Sequence, residues 1–213
     1  LLLLSSAGAA FAAEIIVSDG GDAGPGCTLR DAVTSANTDS VIGGCTAGSG
    51  ADTITFHTDL AGNTISLTGG ELNITSTLTI TGGGVITVSG NNLSRIFNIG
   101  SSGVVTLTGL TIRDGYVVGN GGGVLNGGGS VTLSASTVVS NSAILGGGIF
   151  NQSFGSVTLS ASSAVSNSAI FGGGIYNAGG SVTLSASSVV SNSATSNGGG
   201  IYNNGSSSVV SIT

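Results

Sequence analysis

A repeat of 25 or 26 residues occupies most of the chain and restricts the folds that it can adopt. Successive copies are marked by a Gly-Ser-Val-Thr-Leu-Ser segment or a looser version of it, and the last copy is incomplete. The copies start at Thr77, Gly103, Gly129, Gly155, Gly180 and Gly205. Gly-Gly-Gly triplets and Ser-Asn-Ser-Ala segments recur at a similar period, which is the sequence signature of a stacked repeat protein.

Each copy has the pattern of short β-strands. In residues 130–136, apolar and hydroxyl side chains alternate, which is typical of a strand with one buried face, and the glycine triplets disfavour helix. The period is shorter than the roughly 40–45 residues of a propeller blade. It fits one turn of a parallel β-solenoid, in which equivalent residues of successive coils stack about 4.8 Å apart. The predicted inward columns are Val131, Val157 and Val182; Leu133, Leu159 and Leu184; and Val124, Ile149, Ile175 and Ile201.

Polar and aromatic residues recur in step with these columns. Stacked Asn amides bond to one another, and we favour that structural role over ligand contacts. The predicted Asn ladders are Asn126, Asn151, Asn177 and Asn203, and Asn141, Asn167 and Asn192. An aromatic column is predicted to pack, with a sugar platform as the alternative: Leu125, Phe150, Tyr176 and Tyr202. Outward hydroxyl groups are predicted to form a ladder beside Ser134, Ser160 and Ser185: Thr79, Thr106, Thr132, Thr158 and Thr183.

The first residues have the composition of a secretory signal. Residues 1–13 are apolar or small and include Ala10-Phe11-Ala12, which predicts cleavage after Ala12. A buried N-terminal helix or strand is the alternative. Because no basic segment precedes Leu1 and the repeat is incomplete at Thr213, we expect the native chain to extend beyond both ends.

The two cysteines, Cys27 and Cys45, are predicted to form a disulfide, because exported proteins fold in oxidising compartments. Two free thiols are the alternative. His57 is the only histidine and no CxxC pair is present, so neither a metal site nor a cofactor is expected. We assign His57 no role.

A short helix is predicted between the cysteines. Residues 28–31, Thr-Leu-Arg-Asp, fit a helix-start pattern, and Leu29, Val33 and Ala36 follow at helical spacing. We expect the helix to end at Asn37. It would cover the first coil, because an open solenoid end exposes unpaired strand edges.

The same residues resemble a known family. The segment 27–33, Cys-Thr-Leu-Arg-Asp-Ala-Val, followed by Ala36-Asn37, is similar to the CSLREA motif, with Thr for Ser and Asp for Glu. That motif opens exported bacterial proteins with right-handed parallel β-helix repeats, and residues 52–72 also look typical of it. The later repeats are similar to those of polymorphic outer membrane proteins, although the Phe of their FxxN motif is absent.

This resemblance implies an all-β, right-handed parallel β-helix in a secreted or cell-surface bacterial protein. We predict about six coils with a short N-terminal capping helix. The chain then divides into a signal-peptide remnant (1–12), a cap with the CSLREA-like motif (13–50) and a parallel β-helix (51–213).

Charge is scarce. The net charge is −6 with only three basic residues, so nucleic acid is not an expected partner. Residues 115–213 contain no Asp, Glu, Lys, Arg or His. These coils therefore offer no conventional acid or base, and catalysis is not expected.

The remaining charged residues are given structural roles. Asp19 and Asp22 flank a Gly-Gly pair that would bind calcium weakly at most, and we predict a solvated turn there. Surface salt bridges are predicted for Arg95, Arg113 and Asp114, with a small polar patch as the alternative.

Three function classes stay open. We favour a non-catalytic secreted or cell-surface protein that acts as a structural stalk or adhesin-like module. The alternatives are a polysaccharide-binding or polysaccharide-degrading β-helix and an ice-binding solenoid. Surface glycans or host and matrix proteins are the expected partners, together with end-to-end self-association through the C-terminal coil. No segment predicts a transmembrane span.

Overall fold

The predicted fold class is confirmed. A computed structural model describes residues 12–152 and 154–213, and these form a parallel β-helix of about six turns with one α-helix. Residues 1–11, which carry most of the predicted signal remnant, lie outside the described residues.

Short strands follow one another along the whole described chain. A single α-helix, α1, spans Leu29–Thr38, and a 3-10 turn spans Thr58–Leu60. In chain order the strands are β1 (Glu14–Val17), β2 (Ala51–Phe56), β3 (Thr64–Ser66), β4 (Leu72–Ile74), β5 (Thr77–Ser89), β6 (Phe97–Ile99), β7 (Val104–Arg113), β8 (Val124–Asn126), β9 (Ser130–Ser134), β10 (Thr137–Val139), β11 (Ile149–Asn151), β12 (Ser156–Ser160), β13 (Ser163–Val165), β14 (Ser168–Phe171), β15 (Ile175–Ala178), β16 (Ser181–Ser185), β17 (Ser188–Val190), β18 (Ser193–Asn197), β19 (Ile201–Asn204) and β20 (Val209–Ile212).

The strands stack coil upon coil into three parallel sheets. The long sheet follows the order β1-β2-β5-β7-β9-β12-β16-β20, with β3, β10, β13 and β17 joined to its side. A six-stranded sheet has the order β19-β15-β11-β8-β6-β4, and β14 pairs with β18. Each strand therefore pairs with the equivalent strand of the coil above or below it, as the repeat predicts.

The inward columns form the core. Val131 lies in register with Val157, and Val157 with Val182. The same register aligns the Leu133 column and the Val124 column. Side chains of the two columns in the long sheet are at most 3% exposed. The register is fixed because a slip of one residue would turn these apolar side chains to solvent and the hydroxyls inward.

The glycine triplets let the coil backbones approach one another. Gly172 has a φ of +65°, which a larger residue adopts at a cost. A Cβ atom on Gly173 would lie 2.2 Å from the Ser193 carbonyl oxygen and 2.5 Å from that of Gly199 in the next coil. The triplet is thus required by the close contact between coils.

The N-terminal cap combines a helix with the first rung of the long sheet. The Thr28 hydroxyl accepts a hydrogen bond from the Asp31 N–H at 3.1 Å, which caps the start of α1. The helix runs to Thr38, one residue beyond the predicted end, and packs against β1, β2 and β4. Strand β1 pairs with β2, so the long sheet begins within the segment expected to be the cap.

The predicted disulfide is confirmed. Cys27 and Cys45 are bonded and buried, with their Cα atoms 4.6 Å apart. The bond ties the residue before the helix cap to the loop that follows the helix.

Replacing both cysteines by alanine should lower the free energy of unfolding by about 3 kcal/mol. The crosslink closes a loop of 18 residues in sequence separation, and losing it restores the chain entropy of the unfolded state. Urea unfolding of the oxidised wild type and the double variant measures the difference. Equal midpoints and slopes would show that the crosslink contributes nothing.

Candidate functional site

The first Asn column forms a continuous amide ladder inside the six-stranded sheet. The Asn126 Nδ2 donates to Asn151 Oδ1 at 2.8 Å, Asn151 to Asn177 at 2.9 Å, and Asn177 to Asn203 at 2.8 Å. The first three side chains are fully buried. Ile99 occupies the position below Asn126, which leaves the buried Asn126 Oδ1 without a partner. The ladder therefore begins where the asparagines begin.

The second Asn column forms another ladder at a corner of the solenoid. The Nδ2 groups of Asn141 and Asn167 donate at 2.9 Å to Asn167 Oδ1 and Asn192 Oδ1, respectively. The same oxygens also accept from the backbone N–H groups of Asn141 and Asn167. The Gly115 N–H donates to Asn141 Oδ1 at 2.8 Å, so this ladder has no unpaired lower end.

A serine ladder was not foreseen from the sequence. The Ser136 N–H donates to Ser162 Oγ, and the Ser162 N–H to Ser187 Oγ, both at 3.0 Å. Each of these serines follows an alanine with positive φ, as at Ala135. The recurrence of Ser-Ala-Ser was visible in the sequence, but serine is also an ordinary outward residue.

The aromatic column is packed. The rings of Phe150 and Tyr176 stack with centroids 5.2 Å apart, and the Tyr176 and Tyr202 rings lie at the same distance but tilted. Phe150 and Tyr176 are only 5% and 7% exposed. The Phe171 and Tyr202 ring centroids lie 5.6 Å apart, and the two rings are tilted relative to each other. The ring faces of Phe150 and Tyr176 are therefore not open to a sugar.

Outward residues of the long sheet form a regular array that we call the hydroxyl face. Its two columns lie in register from coil to coil, and its side chains are all half-buried. The first column is Thr79, Thr106, Thr132, Thr158 and Thr183, and the second is Thr81, Thr108, Ser134, Ser160 and Ser185. The predicted outward ladder thus lies beside a second column of hydroxyl groups.

The prediction of a solvated turn at Asp22 is wrong. This carboxylate is 7% exposed and accepts two hydrogen bonds from Arg30, both at 3.0 Å. The N–H groups of Thr68 and Gly69 donate to its Oδ2 at 2.7 Å. Arg30 also donates to the Gly70 carbonyl at 2.6 Å. These contacts join the cap to a loop some 46 residues away.

The same contacts set the charge state of Asp22. Burial raises the pKa of its carboxyl group. The hydrogen bonds from Arg30, Gly69 and Thr68, with the positive charge of Arg30, outweigh burial and hold the pKa below its ordinary value. Asp22 is therefore ionised and structural.

Arg95 forms a salt bridge, as predicted, but the prediction that it lies on the surface is wrong. Its side chain is 11% exposed and pairs with the Glu71 carboxylate. The Arg95 Nε donates to the carbonyl oxygens of Asn120 at 3.1 Å and Gly121 at 3.0 Å. Arg95 thus bridges three successive coils.

The other charged residues with predicted structural roles are Arg113, Asp114 and Asp19. Arg113 and Asp114 form an ion pair at 2.6 Å with the Arg113 side chain half exposed. The Asp19 carboxylate accepts from the Gly21 N–H at 2.9 Å. Within residues 12–152 and 154–213, no three His, Cys, Asp or Glu side chains converge to hold a metal ion.

An apolar cavity of about 270 Å³ lies where β5 departs from regular pairing between Thr81 and Ile86. Phe56 and His57 line it. The His57 Nδ1 lies 3.3 Å from the Asp59 carboxylate, and both side chains are more than half exposed. The sequence pointed to no cavity here, because the bulge in β5 creates it.

Comparison of the chain with protein-family models, curated proteins and solved structures found no match. The resemblance to the CSLREA domain and to polymorphic outer membrane proteins therefore stays a prediction. In the described part of the chain, no helix has the length and apolar character needed to cross a membrane.

Proposed function

We propose that the protein is a non-catalytic module of the cell surface or extracellular space, in which the β-helix acts as a stiff stalk or adhesin-like contact surface. The composition of residues 115–213 carries this proposal, since they contain no Asp, Glu, Lys, Arg or His. Side chains of Ser, Thr and Asn offer shape and neutral hydrogen bonds. They lack the neighbouring acid or base that activates a nucleophile.

Continuous bonding along the axis supports the stalk role. Parallel strand pairs join successive coils, and two Asn ladders and a serine ladder reinforce them. Each coil adds about 4.8 Å to the length and contacts only its neighbours. A solenoid of this kind holds whatever follows it at a fixed distance.

The disulfide supports an exported location. Disulfides persist in oxidising compartments and are rare in the cytosol. The scarcity of basic residues disfavours nucleic acid as a partner. Surface glycans and matrix proteins, which neutral side chains contact through hydrogen bonds, are the partners that we propose.

Beads coated with the purified protein distinguish a stalk from an adhesin. An adhesin-like module should hold the beads on an immobilised glycan or matrix protein. Raising the ionic strength should not release them, because the regular coils carry no charge for salt to screen. A pure stalk should leave the beads free, while small-angle scattering shows an elongated particle.

Heat-unfolded protein on the same beads is the matched control for non-specific adhesion. Catalytic turnover of neutral or uronate polysaccharides by the purified protein would contradict the proposal. The same result would place the catalytic groups among the residues before Gly115, where all the charged side chains lie.

A further inference from the structure

The hydroxyl face has the order of a two-dimensional lattice. Successive rungs of a parallel sheet are about 4.8 Å apart, and residues two apart on one strand are about 6.6 Å apart. Thr132 pairs in register with Thr106 on one side and Thr158 on the other. The ten hydroxyl groups therefore repeat along two directions of one sheet.

The backbone and the core hold this lattice still. Inward residues between the two columns, such as Leu133 and Leu159, are fully buried. Threonine has a stiff side chain because its Cβ is branched. Little entropy is left to lose when the face meets a second ordered surface.

The hydroxyl groups of the face have free bonding capacity. Among the described residues, none of the ten makes a side-chain hydrogen bond, although each is able to donate one and accept two. The serine ladder offers a contrast. The Ser136 hydroxyl donates to the Leu107 carbonyl at 3.0 Å and accepts from the Leu110 N–H at 3.1 Å.

The surroundings define the chemistry of a ligand. No charged residue lies on the rungs of the face, from 77–81 to 181–185. A matching ligand is therefore neutral, rich in hydrogen-bonding groups and ordered in two dimensions. Aromatic rings, on which sugars stack, lie on the six-stranded sheet instead, at Phe150, Tyr176 and Tyr202.

We propose that the hydroxyl face binds crystalline water and so slows the growth of ice. Hydroxyl groups at regular spacing bond to water of one lattice plane, and the threonine methyl groups between them exclude mobile water. Each hydrogen bond to ice is weak, so the strength of ice binding depends on many rungs of the face acting together. This inference stands independently of the stalk or adhesin-like role.

The test is ice recrystallisation inhibition by the purified protein at micromolar concentration, with ice-affinity partitioning as a second measurement. The wild type should stop recrystallisation and enter growing ice. Thr132→Lys should raise the concentration needed by about tenfold or more, because the lysine holds the crystal off several hydroxyl groups. Thr132→Val, which removes one hydroxyl and keeps the shape, should raise it by about fivefold.

Thr137→Lys is the matched control. Thr137 lies in the same coil and is also half-buried, but it is beyond the corner at Ala135 and outside the hydroxyl face. It should leave the activity unchanged, and circular dichroism should show that each lysine variant is folded. If Thr132→Lys fails to fold, the wild type and Thr132→Val still decide the matter.

Three results would overturn the proposal. The first is retention of the wild type on an insoluble neutral polysaccharide with no effect on ice, which would assign the face to a glycan lattice. Absence of any effect on ice is the second. The third is an equal loss of activity in Thr137→Lys and Thr132→Lys.

Discussion

Asn151→Ala should lower the free energy of unfolding by about 4 kcal/mol. The two N–H groups of the Asn151 Nδ2 are shared among three acceptors, the Asn177 Oδ1 and the carbonyl oxygens of Gly155 and Ser181. Alanine removes these hydrogen bonds and the acceptor of the Asn126 Nδ2, leaves the buried Asn177 Oδ1 unpaired and opens a cavity in the core. Urea unfolding followed by circular dichroism measures the loss.

Asn203→Ala is the control within the same ladder. Asn203 is exposed and accepts from Asn177 Nδ2 at 2.8 Å. Water replaces this bond in the variant, so the loss should be about 1 kcal/mol or less. Equal losses at Asn151 and Asn203 would mean that burial of the ladder does not matter.

Asp22→Asn should lower the free energy of unfolding by about 3 kcal/mol at neutral pH. The variant removes the charge that pairs with Arg30, and its amide group brings N–H donors towards those of Thr68 and Gly69. Asp59→Asn is the control, because the Asp59 side chain is 86% exposed. Its effect should stay within about 0.5 kcal/mol.

Acid should erase the difference between wild type and Asp22→Asn. Because the folded pKa of Asp22 lies below its unfolded value of about 4, its contribution is complete above that value. The contribution is then lost as the pH falls through the folded pKa. Unfolding curves collected from neutral pH down to strong acid should converge, and a constant gap would contradict the role of ionised Asp22.

The structure of the regular coils could be predicted from the sequence because the repeat period sets which residues stack. Residues one repeat apart lie one rung apart, so the alternation around Val131 and the recurrence of Asn151 predict their neighbours directly. The first half lacks this advantage. Asp22 contacts residues that no periodic pattern connects to it, and its burial therefore had no local signal. Arg95 does contact residues one repeat away, but its coil lacks the regular repeat motifs, so the pattern did not indicate its burial.

The candidate site likewise has one part that the sequence predicts and another part that only the coordinates show. The alternation of apolar and hydroxyl residues predicts the Thr132 column. That its hydroxyl groups make no side-chain hydrogen bond depends on neighbouring atoms, which only the coordinates show. The end of the first ladder at Ile99 could not be read from the period, because Ile99 lies 27 residues before Asn126 and the repeat has 25 or 26 residues. The bulge in β5 could not be read from it either, because insertions in a coil change the path of the chain without changing the pattern on either side.

Both Asn ladders share a direction. Between neighbouring asparagines the Nδ2 group always donates to the Oδ1 of the next coil, from Asn126 to Asn203 and from Asn141 to Asn192. The side-chain dipoles therefore add, and these uncharged coils acquire an electrical polarity. In a duplicated coil inserted within either ladder, the Asn Nδ2 group would donate to the next coil's Asn, and the Asn Oδ1 atom would accept from the previous coil's Asn. Gene duplication of one repeat can thus change the length of the molecule without any compensating mutation in its neighbours.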